Sequence, residues 1–187
     1  MAQRFFKLSD DLYVPHRWYL ATPLDSQGRK VHDWDFKRGT SVHVEGRLTI
    51  PIKIAGMPLD FCWAGLSIPV ARVKVASMLA KRAAGDVQLI PADIEGYPEQ
   101  YRVLVATRLI RCIDEEASKV QFWTPEDGVP DKVGQYWAVD DMRIDKSKVG
   151  NAKVFRPEGW PTVLIVADEI KDAMEAMGAT GTRFQEV

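Results

Sequence analysis

The chemistry this chain offers is sparse. Only three histidines are present, and one of them, His32, stands in Val31-His32-Asp33-Trp34-Asp35 beside two carboxylates. Imidazole nitrogen and carboxylate oxygen are both metal-ligand types. One candidate is therefore a metal-dependent or hydrolytic enzyme using His32, Asp33 and nearby acids. The competing reading is a polar loop, because a metal site ordinarily draws ligands from several elements. His16 and His43 have strand-like apolar neighbours and suit packing and hydrogen bonding. Ser67, in Gly65-Leu66-Ser67-Ile68-Pro69, lacks the second glycine of a nucleophile elbow and reads as a helix cap. No GxGxxG, GxxxxGK[ST] or HExxH occurs, so neither a phosphate cradle nor a zinc-protease helix is encoded locally. No catalytic, cofactor-binding or metal-ligating residue is assigned, and the expectation is a protein that is not an enzyme and needs no cofactor.

Two other features point to binding. The chain has six tryptophans, and Trp34, Trp123, Trp137 and Trp160 stand in turn-rich surroundings. Tryptophan is enriched at the energetic centres of protein interfaces. It also serves as core, which for any single Trp is the commoner role. The second feature is acidity. Asp114-Glu115-Glu116, Glu126-Asp127 and Asp140-Asp141 fall at expected turns and strand ends. Such runs commonly form a solvated face. Together on one side they would make a patch that meets a basic partner, steering association. The interface candidates are Asp114, Glu115, Glu116, Trp123, Glu126, Asp127, Trp137, Asp140 and Asp141.

These residues must be carried by a chain of 187 residues with 46% apolar and 27% charged content. That is ordinary globular composition, and the length fits a single domain, 1–187. The net charge of −1 argues against a general nucleic-acid or acidic-membrane binder. It conceals an asymmetry. Residues 1–90 hold 13 Lys and Arg against 8 Asp and Glu, and residues 91–187 hold 12 against 18. The N-terminus lacks the apolar run of a secretory signal. The longest uncharged apolar stretch, 61–71, is too short to span a bilayer. Cys62 and Cys112 form no metal or redox spacing and read as free thiols of a reducing cytosol.

The patterning predicts an α+β fold, a mixed or antiparallel sheet with at least two helices, about 67–84 and 168–177, packed on it. Residues 1–60 begin as an irregular, aromatic-rich part that wraps onto the body. Residues 42–54 alternate as strands, with an edge position at Pro51. In the first helix Ala71, Val75, Met78 and Leu79 form the apolar stripe, and Gly85 is the stop. Val87–Ile90 is a strand ended by Pro91. Residues 101–113 form a long strand, and 119–123 return as a hairpin arm across the acidic turn 114–118. Short strands follow at 135–144 and 151–156. Residues 161–166 are a buried strand or the lead-in to the second helix. In that helix Ile170, Ala173, Met174 and Met177 recur at helical spacing. Residues 184–187 close the chain as a strand. Both halves thus run helix, glycine, short strand, without a letter-by-letter repeat.

Four segments in the second part carry a family resemblance: GDVQLIPADIEG (85–96), YRVLVATRLIRCIDEEAS (101–118), MRIDKSKVGNAKVFRP (142–157) and LIVADEIKDAMEAMGATGTRFQEV (164–187). In order, character and spacing they resemble the myxobacterial-type immunity domain, a family of bacterial immunity proteins from polymorphic toxin systems. The resemblance covers about residues 60–187. The first helix departs from it, being basic and Ala-rich. What it implies is an inhibitor that binds and neutralises a cognate toxin, encoded by an adjacent gene and delivered by contact-dependent or type VI secretion. Some such toxins look like nucleases. The near-neutral charge, the missing signal and spanning segments and the lone cysteines make the expectation a cytoplasmic protein with no membrane or direct nucleic-acid contact, and the resemblance carries over no catalytic residue. The readings to be set against it are the His32/Asp33 enzyme and a non-catalytic scaffold subunit.

Overall fold

The computed structural model describes residues 3–187. Along the chain run β1 (Phe5–Asp10), β2 (Tyr19–Leu20), β3 (Leu48–Ile50), β4 (Ile52–Ile54), β5 (Phe61–Ala64) and β6 (Ile68–Arg72). Then come α1 (Val73–Arg82), β7 (Val87–Ile94), β8 (Tyr97–Ala106), β9 (Leu109–Ile110) and β10 (Lys119–Phe122). They are followed by β11 (Tyr136–Asp140), β12 (Val154–Pro157), β13 (Leu164–Ala167), α2 (Asp168–Ala176) and β14 (Thr182–Glu186). The fold is α+β. One sheet has the order β3-β7-β8-β6-β5-β2-β4, a second has β14-β1-β13-β12-β9, and β10 pairs with β11 alone. Most ladders are antiparallel, while β3–β7, β2–β5 and β9–β12 are parallel.

Period-two alternation divides the apolar residues among three cores, because successive strand side chains point to opposite faces. Leu104 and Ala106 of β8, Phe6 and Leu8 of β1, and Leu164 and Val166 of β13 face a central core. It is completed by Val75, Met78 and Leu79 of α1 and by Ile170 and Met174 of α2. The alternate residues of β8, Val103 and Val105, face a second core, closed by Trp18 and Phe36 of the N-terminal part. The aromatic-rich beginning covers a sheet face with Trp18 and Phe36, but it is not irregular throughout, since Phe5–Asp10 is the strand β1 laid between β13 and β14. Phe5, Ile165 and Phe155 face the third core, closed by Cys112, Met142, Ile144 and Val149.

Each helix grows directly out of a strand. Arg72 and Ala167 hold the N-cap positions in extended conformation, neither with a side-chain cap. The dipole is served instead by charge: Asp168 and Glu169 in the first turn of α2, Lys81 and Arg82 in the last turn of α1. In the first half β6 and β7 flank β8, each antiparallel to it. In the second half β13 and β14 flank β1 in the same way. Strand, helix, then a parallel strand with one antiparallel strand between them occurs twice, with β5 and β12 as matching outer neighbours. The counterpart of β8 is β1, supplied from the opposite end of the chain.

Several expectations are revised. The first helix begins at Val73, not near Ser67. Ile68-Pro69-Val70 is strand, since Val70 pairs with Val103 and lies in a different core from Ala71. Ser67 is no helix cap: it sits in the β5–β6 turn at φ 63. Gly85 is not a left-handed stop: α1 ends at Arg82 with Ala83 as its C-cap, and Gly85 does not take a positive φ. Pro91 lies inside β7, opposite Arg102, instead of ending it. The expected long strand breaks at Thr107–Arg108, and residues 119–122 pair with β11 instead of returning along it.

Candidate functional site

The arm formed by β10 and β11 is built from its base outward. Ile113 bridges Ile144, and the Asp114 amide donates to the Arg143 carbonyl. The buried Ser118 hydroxyl donates to the Arg143 carbonyl (3.1 Å) and accepts from the Arg143 amide (2.8 Å). Asp114 closes the turn, its Oδ1 accepting from the Glu116 and Ala117 amides, both at 3.1 Å. This is the local side-chain-to-backbone bonding that suits Asp to turns. From there the chain runs up β10, through the loop 123–135, and back along β11.

The loop is held by its own chemistry. Thr124 and Asp127 form a capping box, with the Thr124 amide donating to Asp127 Oδ2 at 2.7 Å. Gly128, at φ 70, supplies the left-handed residue that ends this short turn. The Gly134 amide then donates to the Trp123 carbonyl and the Trp123 amide to the Gln135 carbonyl.

One irregularity aims the aromatic residues. Gln121 opposes Ala138 and Phe122 opposes Tyr136, so Trp137 is an unpaired bulge residue. Bulges turn a strand and re-aim a side chain. Trp137 is half exposed, at 50%. Its ring meets Trp123 edge-on, centroids 6.4 Å apart, and Lys132 Nζ lies 5.0 Å over the Trp123 ring. Phe122 stacks on Tyr136 at 5.3 Å. The Tyr136 hydroxyl donates to Glu115 Oε1 at 2.6 Å, and burial together with that carboxylate pushes the phenol up to about 12.

The structure thus brings Trp123 and Trp137 together and leaves most of the predicted acids exposed. Glu115, Glu116, Glu126, Asp127, Asp140 and Asp141 are exposed and Asp114 is partly buried. They do not share one hollow. Asp114, Glu115 and Glu116 line a hollow of about 360 Å³ with Arg111, Tyr136 and Lys148. Asp140 and Asp141 line another of about 260 Å³ with Lys7, Trp160 and Val187. Asp141 is paired with Lys119 at 2.5 Å, which holds its carboxyl below the usual range. Among the described residues Glu116, Glu126 and Asp140 have no side-chain hydrogen bond or ion pair within the protein. Sequence reading missed Phe122 and Tyr136. The signal was there in the dipeptides Phe122-Trp123 and Tyr136-Trp137, where the arm's aromatic residues come in neighbouring pairs.

The His32 region is arranged differently. His32 and His43 are both exposed, as is His16, so the packing role expected for His16 and His43 is not found. His32 and His43 border an open groove of about 500 Å³ between residues 25–36 and 42–48. Asp35 is taken by Arg38 at 2.8 Å, and Asp25 by Arg29 at 2.9 Å. Among the described residues no three His, Cys, Asp or Glu side chains converge as a metal-holding group.

The structure is an α+β body carrying an aromatic arm with acids at its base, loop and end. The family model of the Immunity protein family (Imm11) matches residues 86–187, more than half of the chain, and the chain belongs to that family. Membership gives it an immunity function and, in general terms, a toxin for a partner. The match runs from Asp86, just ahead of β7, to the end of β14 and includes the whole arm, while β5, β6 and α1 lie outside it. Among curated proteins none matches the chain. No helix among the described residues is long and apolar enough to cross a membrane.

Proposed function

We propose that the chain neutralises one cognate bacterial toxin by direct protein–protein contact, with the β10–β11 arm as the contact surface. The observation that carries this reading is the half-exposed Trp137 set against the partly buried Trp123 on a bulged arm, with the unpaired acids Glu116, Glu126 and Asp140 in the same part of the chain. Aromatic anchors ringed by polar residues are the usual energetic core of an interface. Asp114, Glu115, Glu116, Glu126, Asp127, Asp140 and Asp141 fit a basic partner. A nuclease effector has such a surface, since it holds phosphates with Lys and Arg, and the acids would stand in for the phosphates. The partner in this reading is encoded by the adjacent gene, delivered by a polymorphic toxin system such as type VI secretion, and met in the cytoplasm.

The test uses acids that hold nothing in place, because reversing Asp114 would also open its turn. Glu116→Lys combined with Glu126→Lys should lower affinity for the toxin of the adjacent gene at least tenfold. It should also flatten the salt dependence of binding and abolish growth rescue on co-expression. Unchanged affinity and salt dependence would refute the acidic contact.

A further inference from the structure

Arg156 is the largest polar side chain in the interior, with 0% of its surface exposed. Its Nη1 donates to the Pro161 carbonyl at 2.7 Å. Its Nε and Nη2 are buried and have no hydrogen-bond partner among the described residues. These two nitrogens form one edge of the guanidinium fork. Arg47 uses the same edge to hold Asp93, Nε to Oδ2 and Nη2 to Oδ1, both at 2.8 Å. On Arg156 that anion-holding edge meets no carboxylate.

A second buried cation belongs to the same region. Lys37, 4% exposed, ends the 3-10 turn Asp33–Lys37 and donates to the Leu66 carbonyl at 2.6 Å. Its ammonium is lowered by burial and then by the Arg156 charge, and raised by Asp33. Asp33 Oδ1 is itself buried and unpartnered. The stretch is pressed against the strand pair that carries Arg156. Gly39 abuts Leu109 so closely that no side chain fits there, and Leu109 stands opposite Arg156 in the β9–β12 register.

We infer that Arg156 and Lys37 form an internal site for one small monovalent anion of halide size, which ties the N-terminal part to the family part. Lys37 and Arg156 bring two positive charges and Asp33 one negative, so a single monovalent anion closes the balance. A buried charge is stable only when paired and hydrogen-bonded, and the free fork supplies two charge-assisted donors. A halide suits full burial better than a phosphate, whose second charge would cost more to desolvate.

The experiment measures thermal unfolding of the full chain at constant ionic strength while gluconate is replaced by chloride or bromide. Fixing ionic strength removes general screening. The midpoint should rise and, once the site is nearly saturated, climb about 3–5 °C per tenfold increase in halide. Lys37→Met should lose most of that dependence. Crystals grown in bromide should show an anomalous peak beside Arg156 Nε and Nη2, a reading that needs no variant. Equal midpoints in chloride and gluconate would overturn the site. So would a full halide shift in Lys37→Met, or water alone in the Arg156 fork.

Discussion

At the residue scale, buried ion pairs do work that no local motif announces. Arg17 and Asp10 are each almost wholly buried and form a two-point pair, Nη1 to Oδ1 and Nη2 to Oδ2. Asp10 also accepts from the Trp63 amide and so links the end of β1 to β5. Removing one member of such a pair leaves the other charge stranded, which costs about 3–5 kcal/mol. Asp10→Asn should lose that much stability in urea unfolding, far more than Asp35→Asn, whose carboxylate is in an exposed pair with Arg38. A second residue sets a pH signature. The Arg47 guanidinium and the Glu99 amide hold the Asp93 carboxyl down to about 2. In the unfolded chain it titrates near ~4. Because the folded value is the lower one, its stabilisation is complete above about pH 4 and disappears as pH falls through 2. The stability gap between wild type and Asp93→Asn should therefore close between those values, and shrink in high salt because the pair is exposed.

At the element scale, the arm stands outside both large sheets yet packs Val120, Tyr136 and Val139 against the third core. It pairs with neither large sheet and is held at its base by Ser118 and Arg143. Trp137 stands on the bulge, so truncating it removes contact surface and little core. Trp137→Ala should change stability by less than about 1 kcal/mol and weaken toxin binding roughly thirtyfold, the scale of an interface anchor. An intact unfolding midpoint with unaltered affinity would remove this residue from the proposed contact. The helices show how far a pattern can be read. In α2 the stripe Ile170, Ala173, Met174, Met177 was legible because a 3.6-residue period over nine residues has no competing explanation. The start of α1 was not. Ser67-Ile68-Pro69 carries an acceptable helix-entry signature, and only the ladder to β8 makes Ile68–Arg72 a strand.

At the scale of the whole molecule, the two ends of the chain are woven together. β1 lies between β13 and β14, and the Val187 amide donates to the Phe5 carbonyl. The family-matched stretch 86–187 therefore lacks the central strand of its own sheet. Expressed alone, it should show no cooperative unfolding and no dispersed amide spectrum, while the full chain melts in one transition. Two separate transitions in the full chain would instead assign its halves to independent units. The buried Asp60 points the same way. It accepts from the Thr180 amide and hydroxyl and pairs with Lys74 at 2.9 Å, joining the α1 region to the turn before β14.

What the sequence determined by itself was everything carried by short-range pattern. This covers the α+β class, both helices, most strands, the acid runs at turns, and the segments by which the chain resembles an immunity family. Those signals live within ten or so residues, where side-chain period and turn chemistry act. The tertiary structure alone decided which distant residues meet. It paired β10 with β11 and placed Trp123 against Trp137 by a one-residue bulge. It buried the Arg156 fork on β12 without a partner among the described residues, and it repeated a strand–helix–strand unit whose central strand is local in the first half (β8) and comes from the far end of the chain in the second (β1). Pairing over such separations is fixed by burying complementary faces and satisfying backbone groups across the whole chain, and no local stretch of residues records that choice.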